Sequence, residues 1–334
     1  MCSRRQLMTA LMTATLVTAA AATATGCAAD AEPDRTPSPR AAAERAARVA
    51  LDGFLAAYNR AEQSSDESLL DPVATGPYAE TKKAGLRANR ALAPAGPPES
   101  EPLRLTDPQF AIPEHGGFFV VHTDSNRDEG TDRADSRVVL VFTRPDRAGA
   151  WRVAYASVIG RADLPAFRLT PAGWAEAVAP DARDVSVPPA ELSRRYARLL
   201  TDGTLDGFAP GSATTGRRAV RARDAEQPGL TARFEDRPAD EGAYAPVALR
   251  TENGGALAFF ASRHIDRLTL DPTAEGAVSP LTTGVRALMR GEFTDTLTRE
   301  SVSTQAVVLP PATAPGRGAA FVAQAQGVVA ATAS

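Results

Sequence analysis

The chain has 334 residues and a formal net charge of −3, and 43% of its residues are hydrophobic. So mild an acidity offers no basic patch for a phosphate backbone, and nucleic acid is excluded as an expected partner. The only two cysteines are Cys2 and Cys27, so we expect no disulfide and a fold that depends on its core. The length allows two ordinary domains.

Residues 1–26 have the pattern of a cleaved export signal. Arg4 and Arg5 form a positive head, residues 7–22 carry no charge, and three small residues lead into Cys27. The end of this segment resembles the bacterial lipobox, in which the cysteine thiol receives a diacylglyceryl group. We therefore expect a lipid-anchored protein on the extracytoplasmic face of the cell membrane. An ordinary secretory peptide is the alternative, since Ala24 stands where the lipobox usually has leucine.

The export route stays open between two pathways. Residues 3–8 read SRRQLM and resemble the twin-arginine motif, but arginine pairs are also common at the head of general secretory signals.

Composition and periodicity then predict two modules. Residues 27–41 are small, polar and proline-bearing, and we expect a disordered tether. Module one, residues 42–160, begins with an amphipathic helix and a second helix near 79–91. Four extended runs follow at 103–112, 118–123, 137–143 and 151–158, which predicts an antiparallel meander.

Residues 161–187 are expected to connect the modules, with one short helical turn near Trp174. Module two, residues 188–334, repeats the outline. It has a helix at 192–200, strands expected at 219–234, 244–251 and 256–262, a short helix at 281–289 and a final hairpin from 293–309 and 319–330. The predicted fold class is α+β, with two tandem modules that each pack a helix on a curved antiparallel sheet.

The mature chain resembles a family of two-module, membrane-anchored lipoproteins of unknown function from high-GC Gram-positive bacteria. The resemblance is carried by Tyr58-Asn59, Thr75-Gly76-Pro77, Phe110-Ala111-Ile112-Pro113, Ala248-Leu249-Arg250-Thr251 and Gly254-Gly255. Each module is similar in outline to the NTF2-like or cystatin-like cone. The resemblance implies a fold and brings no catalytic motif.

Residue chemistry adds few candidates. His115 stands in a glycine-rich turn, and we expect His122 and His264 at strand ends. All three lack metal-ligand spacing, and we expect structural or solvent-exposed roles for them. The acidic turn 124–135 places Asp124, Asn126 and Asp128 at the first positions of a calcium-type loop. Its glycine falls one position late and it ends in aspartate, so a solvated hairpin tip is the favoured interpretation. No catalytic residue, cofactor or metal is predicted.

Two functions from different classes remain. The first is a binding or interaction protein whose partner is an extracytoplasmic protein or small ligand. Its pocket would be the mouth of a cone, with Tyr58 as the candidate contact beside strands 118–123 and 137–143. The alternative is a hydrolase or isomerase that uses a carboxylate or histidine inside one cone, and a deep pocket with a converging His–Asp pair would favour it.

Overall fold

Helix α1 (Pro39–Ser64) opens the part of the chain that the computed structural model describes, which is residues 38–96, 101–145, 148–225, 227–271, 273–274, 281–314, 316 and 318–334. The Ser38 hydroxyl accepts a hydrogen bond from the Ala41 amide at 3.2 Å, and Pro39 occupies the first helical position. Residues 39–41, expected in the tether, therefore belong to the helix. Arg4, Arg5 and Cys27 lie outside the described residues.

The first sheet is a simple meander with the order β1-β2-β3-β4. Its strands are β1 (Leu105–Ala111), β2 (Phe118–Ser125), β3 (Ser136–Thr143) and β4 (Arg152–Gly160). Helix α2 (Gly76–Leu92) precedes them. The meander predicted from the four extended runs is present.

The second sheet has six strands in the order β5-β7-β9-β10-β8, and β6 also pairs with β7. The strands are β5 (Leu230–Ala239), β6 (Val247–Arg250), β7 (Ala256–Leu270), β8 (Met289–Arg290), β9 (Thr296–Leu309) and β10 (Ala320–Ala333). The helices are α3 (Leu192–Asp202), α4 (Arg217–Ala225) and α5 (Thr283–Leu288). Pairing is antiparallel except between β8 and β10.

The two sheets lie face to face between two helices. Leu51 and Phe54 of α1 pack on one face of the first sheet, against Phe119 and Phe142. The other face of that sheet shares a core cluster with the second sheet, which includes Leu257 and Phe259 of β7. Helix α3 covers the far face of the second sheet. Because strands in both sheets are buried on both faces, they read as continuous apolar runs such as FFVV and ALAFFA.

These layers confirm the α+β class with two antiparallel sheets. Residues Ser38–Ser334 form one compact unit. The boundary at residues 161–187 and the cone resemblance stay predictions. The connecting segment is fastened to both sheets, since the Ala175 amide donates to Ile112 O and the Val178 amide donates to Ala248 O, both at 2.9 Å.

Three details of the predicted elements are wrong. The segment expected as a strand at 219–234 contains helix α4, because residues 217–225 are rich in arginine and alanine, which favour helix. The residues around Trp174 form a hydrogen-bonded turn from Thr170 and not a helical turn. His122 and His264 lie within β2 and β7, and not at strand ends.

Candidate functional site

An open groove of about 680 Å³ lies where α1 begins and the turn between β1 and β2 meets the loop after β3. Its floor and walls are largely apolar and aromatic. The lining residues include Phe118, Phe119, Trp151, Trp174, Glu114 and Arg144. Both tryptophans of the chain line this groove. We name it the tryptophan groove.

Glycines allow the turn between β1 and β2 to sit against the neighbouring loop. Gly117 has a φ of +67°, and a Cβ there would lie 3.2 Å from the carbonyl oxygen of Arg144. Gly116 has a φ of +117°, in the region that favours glycine. The turn thus leaves Glu114 and His115 exposed on the rim of the groove.

Each tryptophan ring packs against neighbouring side chains, and an arginine guanidinium lies over it. The Trp151 ring meets Phe119 edge-on at 4.9 Å, and the Arg144 guanidinium lies 4.2 Å from the Trp151 ring centre. Arg40 lies 5.7 Å from the Trp174 ring centre and donates to Gly173 O at 3.0 Å. Arginine over an aromatic face is a stabilising cation–π arrangement. Both indole rings are therefore fixed in place before any ligand arrives.

Tyr58, the pocket residue predicted from sequence, lies elsewhere on α1. The Lys82 ammonium sits 4.6 Å over its ring and donates to its hydroxyl at 3.2 Å, and Lys82 also pairs with Glu62 at 2.8 Å. Tyr58 is twelve residues beyond Ala46, which lines the groove, a distance of about 18 Å along a helix. The tryptophan groove does not include Tyr58.

The side-chain oxygens of the acidic turn 124–135 bind other residues of the chain. Asp124 pairs with Arg161, and Asn126 Oδ1 accepts from the Arg104 amide at 2.8 Å. Asp128 is buried and pairs with Arg133 at 3.1 Å. Among the described residues, no three or more His, Cys, Asp or Glu side chains form a group that could hold a metal ion.

A buried polar cluster around His264, which we name the His264 network, was missed by the sequence analysis. His264 Nδ1 lies 2.5 Å from Asp236 Oδ1 on β5, and its Nε2 lies 2.7 Å from the Ser303 hydroxyl on β9. Gln305 Nε2 donates to Ser303 at 2.5 Å and to Ser262 at 3.0 Å. The sequence signal for it is polar residues at alternate positions of two strands, S-x-H-x-D at 262–266 and S-x-S-x-Q at 301–305.

Electrostatics fix the protonation pattern of the His264 network. Burial alone would raise the pKa of the Asp236 carboxyl, but hydrogen bonds from His264 and Arg221 outweigh burial and lower that pKa to about 2. Burial also lowers the pKa of His264, against the opposing effect of Asp236. A neutral His264 therefore donates from Nδ1 to Asp236 and accepts at Nε2 from Ser303.

The distances match those of a nucleophile (Ser303), a base (His264) and an orienting carboxylate (Asp236). A substrate, however, could not reach these side chains. His264 and Ser303 are fully buried, and Arg221 of α4 pairs with Asp236 at 2.7 and 2.9 Å. Ser303 lies mid-strand, between Ser262 of β7 and Gln326 of β10. Its neighbouring amides belong to the sheet ladders, so they are not available as oxyanion donors.

Comparisons with known proteins agree on a lipoprotein family. The family model described as Domain of unknown function (DUF8094) matches residues 38–333. An uncharacterized lipoprotein of Streptomyces avermitilis is 40% identical over 295 residues, which cover 87% of this chain and 86% of the relative. An uncharacterized lipoprotein of Streptomyces coelicolor is 42% identical over 283 residues, covering 84% and 83%. Among the described residues no helix is long and apolar enough to cross a membrane.

Proposed function

We propose that this chain, which belongs to the family described as Domain of unknown function (DUF8094), is a lipid-anchored extracytoplasmic binding protein whose ligand occupies the tryptophan groove. The lipoprotein names of its relatives and the Cys27 signal support the anchor. One observation carries the binding role: an open groove of about 680 Å³ contains both tryptophans of the chain. Binding sites are typically concave, mostly apolar and largely formed before the ligand arrives.

The groove favours an amphiphile with an apolar body and an anionic group. Phe118 and the two tryptophans offer apolar and aromatic surface, against which an alkyl or ring system loses water. Among the described residues that line the groove, two have charged side chains: Arg144 is half-buried and Glu114 is exposed. A half-buried charge is screened less by solvent, so we expect an anionic group that contacts Arg144, in addition to the contacts Arg144 already makes, to be favoured over a cation near the exposed Glu114.

Tryptophan emission gives a direct test, because Trp151 and Trp174 are the only tryptophans in the chain. The purified full chain, with its anchor held by an amphipathic polymer, would be titrated with octanoate, octanol and octyltrimethylammonium. We expect a saturable emission change with octanoate, a weaker one with octanol, and the weakest with the cation. No saturable change with any of the three would contradict binding in this groove.

Arg144→Gln tests the charge preference. We expect octanoate to bind this variant no better than octanol, while Arg104→Gln, at an exposed arginine remote from the groove lining, keeps the wild-type order. Trp151→Phe should leave a ligand response from Trp174 alone. An unchanged preference for octanoate in Arg144→Gln would contradict the assigned role of that side chain.

A hydrolase is the second candidate function, because the His264 network brings together a serine, a histidine and an aspartate. Full burial and the absence of spare oxyanion donors disfavour it. The tryptophan groove contains none of these three residues, so the binding role does not depend on them.

A further inference from the structure

Strand β10 (Ala320–Ala333) carries no charged residue along its 14 positions. One side of it pairs with β9 along nearly its whole length. Within the part of the chain that the structure describes, the other side pairs only with β8, through Met289↔Ala331 and Arg290↔Thr332. Proteins usually protect an exposed strand edge with charges, proline or cover, because unpaired amides and carbonyls attract another strand.

The unprotected stretch is regular and lies beside open space. Pairing with β9 is continuous from Ala323 to Val328, with register shifts only between Phe321 and Ala323 and between Val328 and Ala330. Two cavities, of about 500 and 250 Å³, lie beside residues 323–327, and both include the exposed residue Ala325. Strand β4 lines both cavities and helix α2 lines the smaller one, so they lie over one face of β10. Among the described residues, no strand pairs with the outer edge of β10 at residues 323–327.

The sequence of β10 is nearly the same in both directions from Ala325. Gln324 matches Gln326, Ala323 matches Gly327, and Val322 matches Val328. When an antiparallel strand pairs with its own copy, the two-fold axis passes through a single residue. The reason is that only alternate residues direct their backbone groups to the outer edge, so facing residues must be an even number of positions apart. Centred on Ala325, such pairing places Gln324 opposite Gln326 and Ala323 opposite Gly327, with no charge repulsion within 323–327.

We propose that two copies of this chain associate through antiparallel pairing of their β10 edges, with Ala325 on the two-fold axis. The contact is isologous, so each copy offers the same segment 323–327 to the other. A second copy fits this edge better than a foreign peptide, because the symmetry lies in the strand itself. Pairing also removes the exposed edge that each copy presents alone.

A cysteine at position 325 tests the axis. Directly opposite residues on antiparallel strands have Cβ atoms about 4.5–5.5 Å apart, close to the separation a disulfide requires. The purified full chain with Ala325→Cys would be oxidised mildly and examined without reductant, beside the parent chain. The control is Arg223→Cys, at an exposed α4 residue. We expect Ala325→Cys to crosslink at least about tenfold faster than Arg223→Cys, because pairing raises the effective thiol concentration. Equal rates would overturn the proposal.

A charge-swap pair tests the register. In the proposed dimer position 324 of one copy lies opposite position 326 of the other. Gln324→Lys with Gln326→Lys therefore puts like charges together twice, and we expect a monomer by light scattering. Gln324→Lys with Gln326→Glu puts opposite charges together and should restore the dimer.

Both double variants lose the hydrogen bond from Gln324 to Tyr196. The variant with lysine at 324 and glutamate at 326 therefore controls for that loss in the double-lysine variant. A wild-type chain that stays monomeric at about 100 µM, well above the concentration at which a micromolar dimer forms, would overturn the proposal. A dimer that persists in the double-lysine variant would overturn it as well. A monomer that instead captures a strand of another protein on this edge would also count against self-pairing.

Discussion

The Tyr155 hydroxyl on β4 donates to the main-chain carbonyl of Tyr244, just before β6, at 2.7 Å. Tyr155 is fully buried, and burial raises the pKa of its phenol, so it stays a neutral donor. This hydrogen bond joins the first sheet to the segment that leads into β6 of the second sheet. Arg263 and Glu80 add a bidentate ion pair between β7 and α2, at 2.7 and 3.0 Å.

Tyr155→Phe should lower the free energy of unfolding by about 1–2 kcal/mol, because it leaves a buried carbonyl without its donor. Since both sheets share one core cluster, denaturant unfolding should remain a single transition that shifts as a whole. Tyr58→Phe is the matched control. Its hydroxyl is half-buried at the Lys82 contact, and we expect a change below about 0.5 kcal/mol. Two separate transitions in the wild type would argue for independent modules.

Phe54→Ala should cost about 3–5 kcal/mol, because Phe54 is buried in α1 against Phe142 at a ring distance of 6.0 Å and its removal leaves a cavity. Val49→Ala on the same helix is the control. Val49 is 71% exposed, so we expect a change within about 0.5 kcal/mol. Comparable losses from both variants, measured by denaturant titration, would contradict the packing of α1 on the first sheet.

Periodicity was enough to predict the helices and strands whose burial is simple. Leu51 and Phe54 recur at helical spacing, and the runs at 118–121 and 138–142 are apolar at every position. Those runs also indicate burial on both faces of a sheet, a signal that the two-module interpretation did not use. Helix α4 was missed because an arginine-rich surface helix without a single buried residue leaves no apolar stripe to detect.

Neither site could be assembled from the sequence, because each depends on tertiary contacts. Trp151 and Trp174 come together through the bridge between Pro113 and Ala175, which no local pattern indicates. His264 meets Ser303 and Asp236 across 39 and 28 residues of chain. The sequence predicts a structural or solvent-exposed role for His264, but its carboxylate partner is set by strand register, which side-chain alternation alone does not fix.

Cys27→Ser should abolish membrane attachment. A lipidated cysteine contributes acyl chains at about 0.8 kcal/mol per buried CH₂, and a serine hydroxyl cannot form the thioether. We expect the variant in the medium or left with its signal uncleaved, as shown by cell fractionation and intact mass. Cys2→Ser is the control, because Cys2 would leave with the signal and should not affect attachment. A Cys27→Ser variant processed and acylated like the wild type would refute the lipobox assignment.

Ser303 should not react as a nucleophile despite its 2.7 Å contact with His264 Nε2. A fluorophosphonate probe needs access to the hydroxyl, and Ser303 is fully buried. We expect no labelling of the folded chain, while Ser303→Ala loses about 1–3 kcal/mol of stability because His264 Nε2 loses its 2.7 Å partner and keeps only the Ser262 hydroxyl at 3.2 Å. Stoichiometric labelling that disappears in Ser303→Ala would support the hydrolase as the function.

Acid should destabilise the fold through the buried His264 and the half-buried His122. Burial lowers the pKa of His122 to about 4, and it lowers the pKa of His264 as well, whereas an unfolded histidine titrates near 6.5. Below about pH 6.5 the unfolded chain binds protons that the folded chain does not, so the free energy of unfolding should fall steadily from pH 6.5 toward pH 4. Asp236 adds to this fall only at the acid end of the range, because its folded pKa is about 2 whereas an unfolded aspartate titrates near 3.9. Urea midpoints at several pH values would measure the slope. His264→Gln and His122→Asn should each flatten it, while His115→Gln, at an exposed residue, should not. A urea midpoint that does not change between pH 6.5 and pH 4 would contradict the lowered pKa values of His264 and His122.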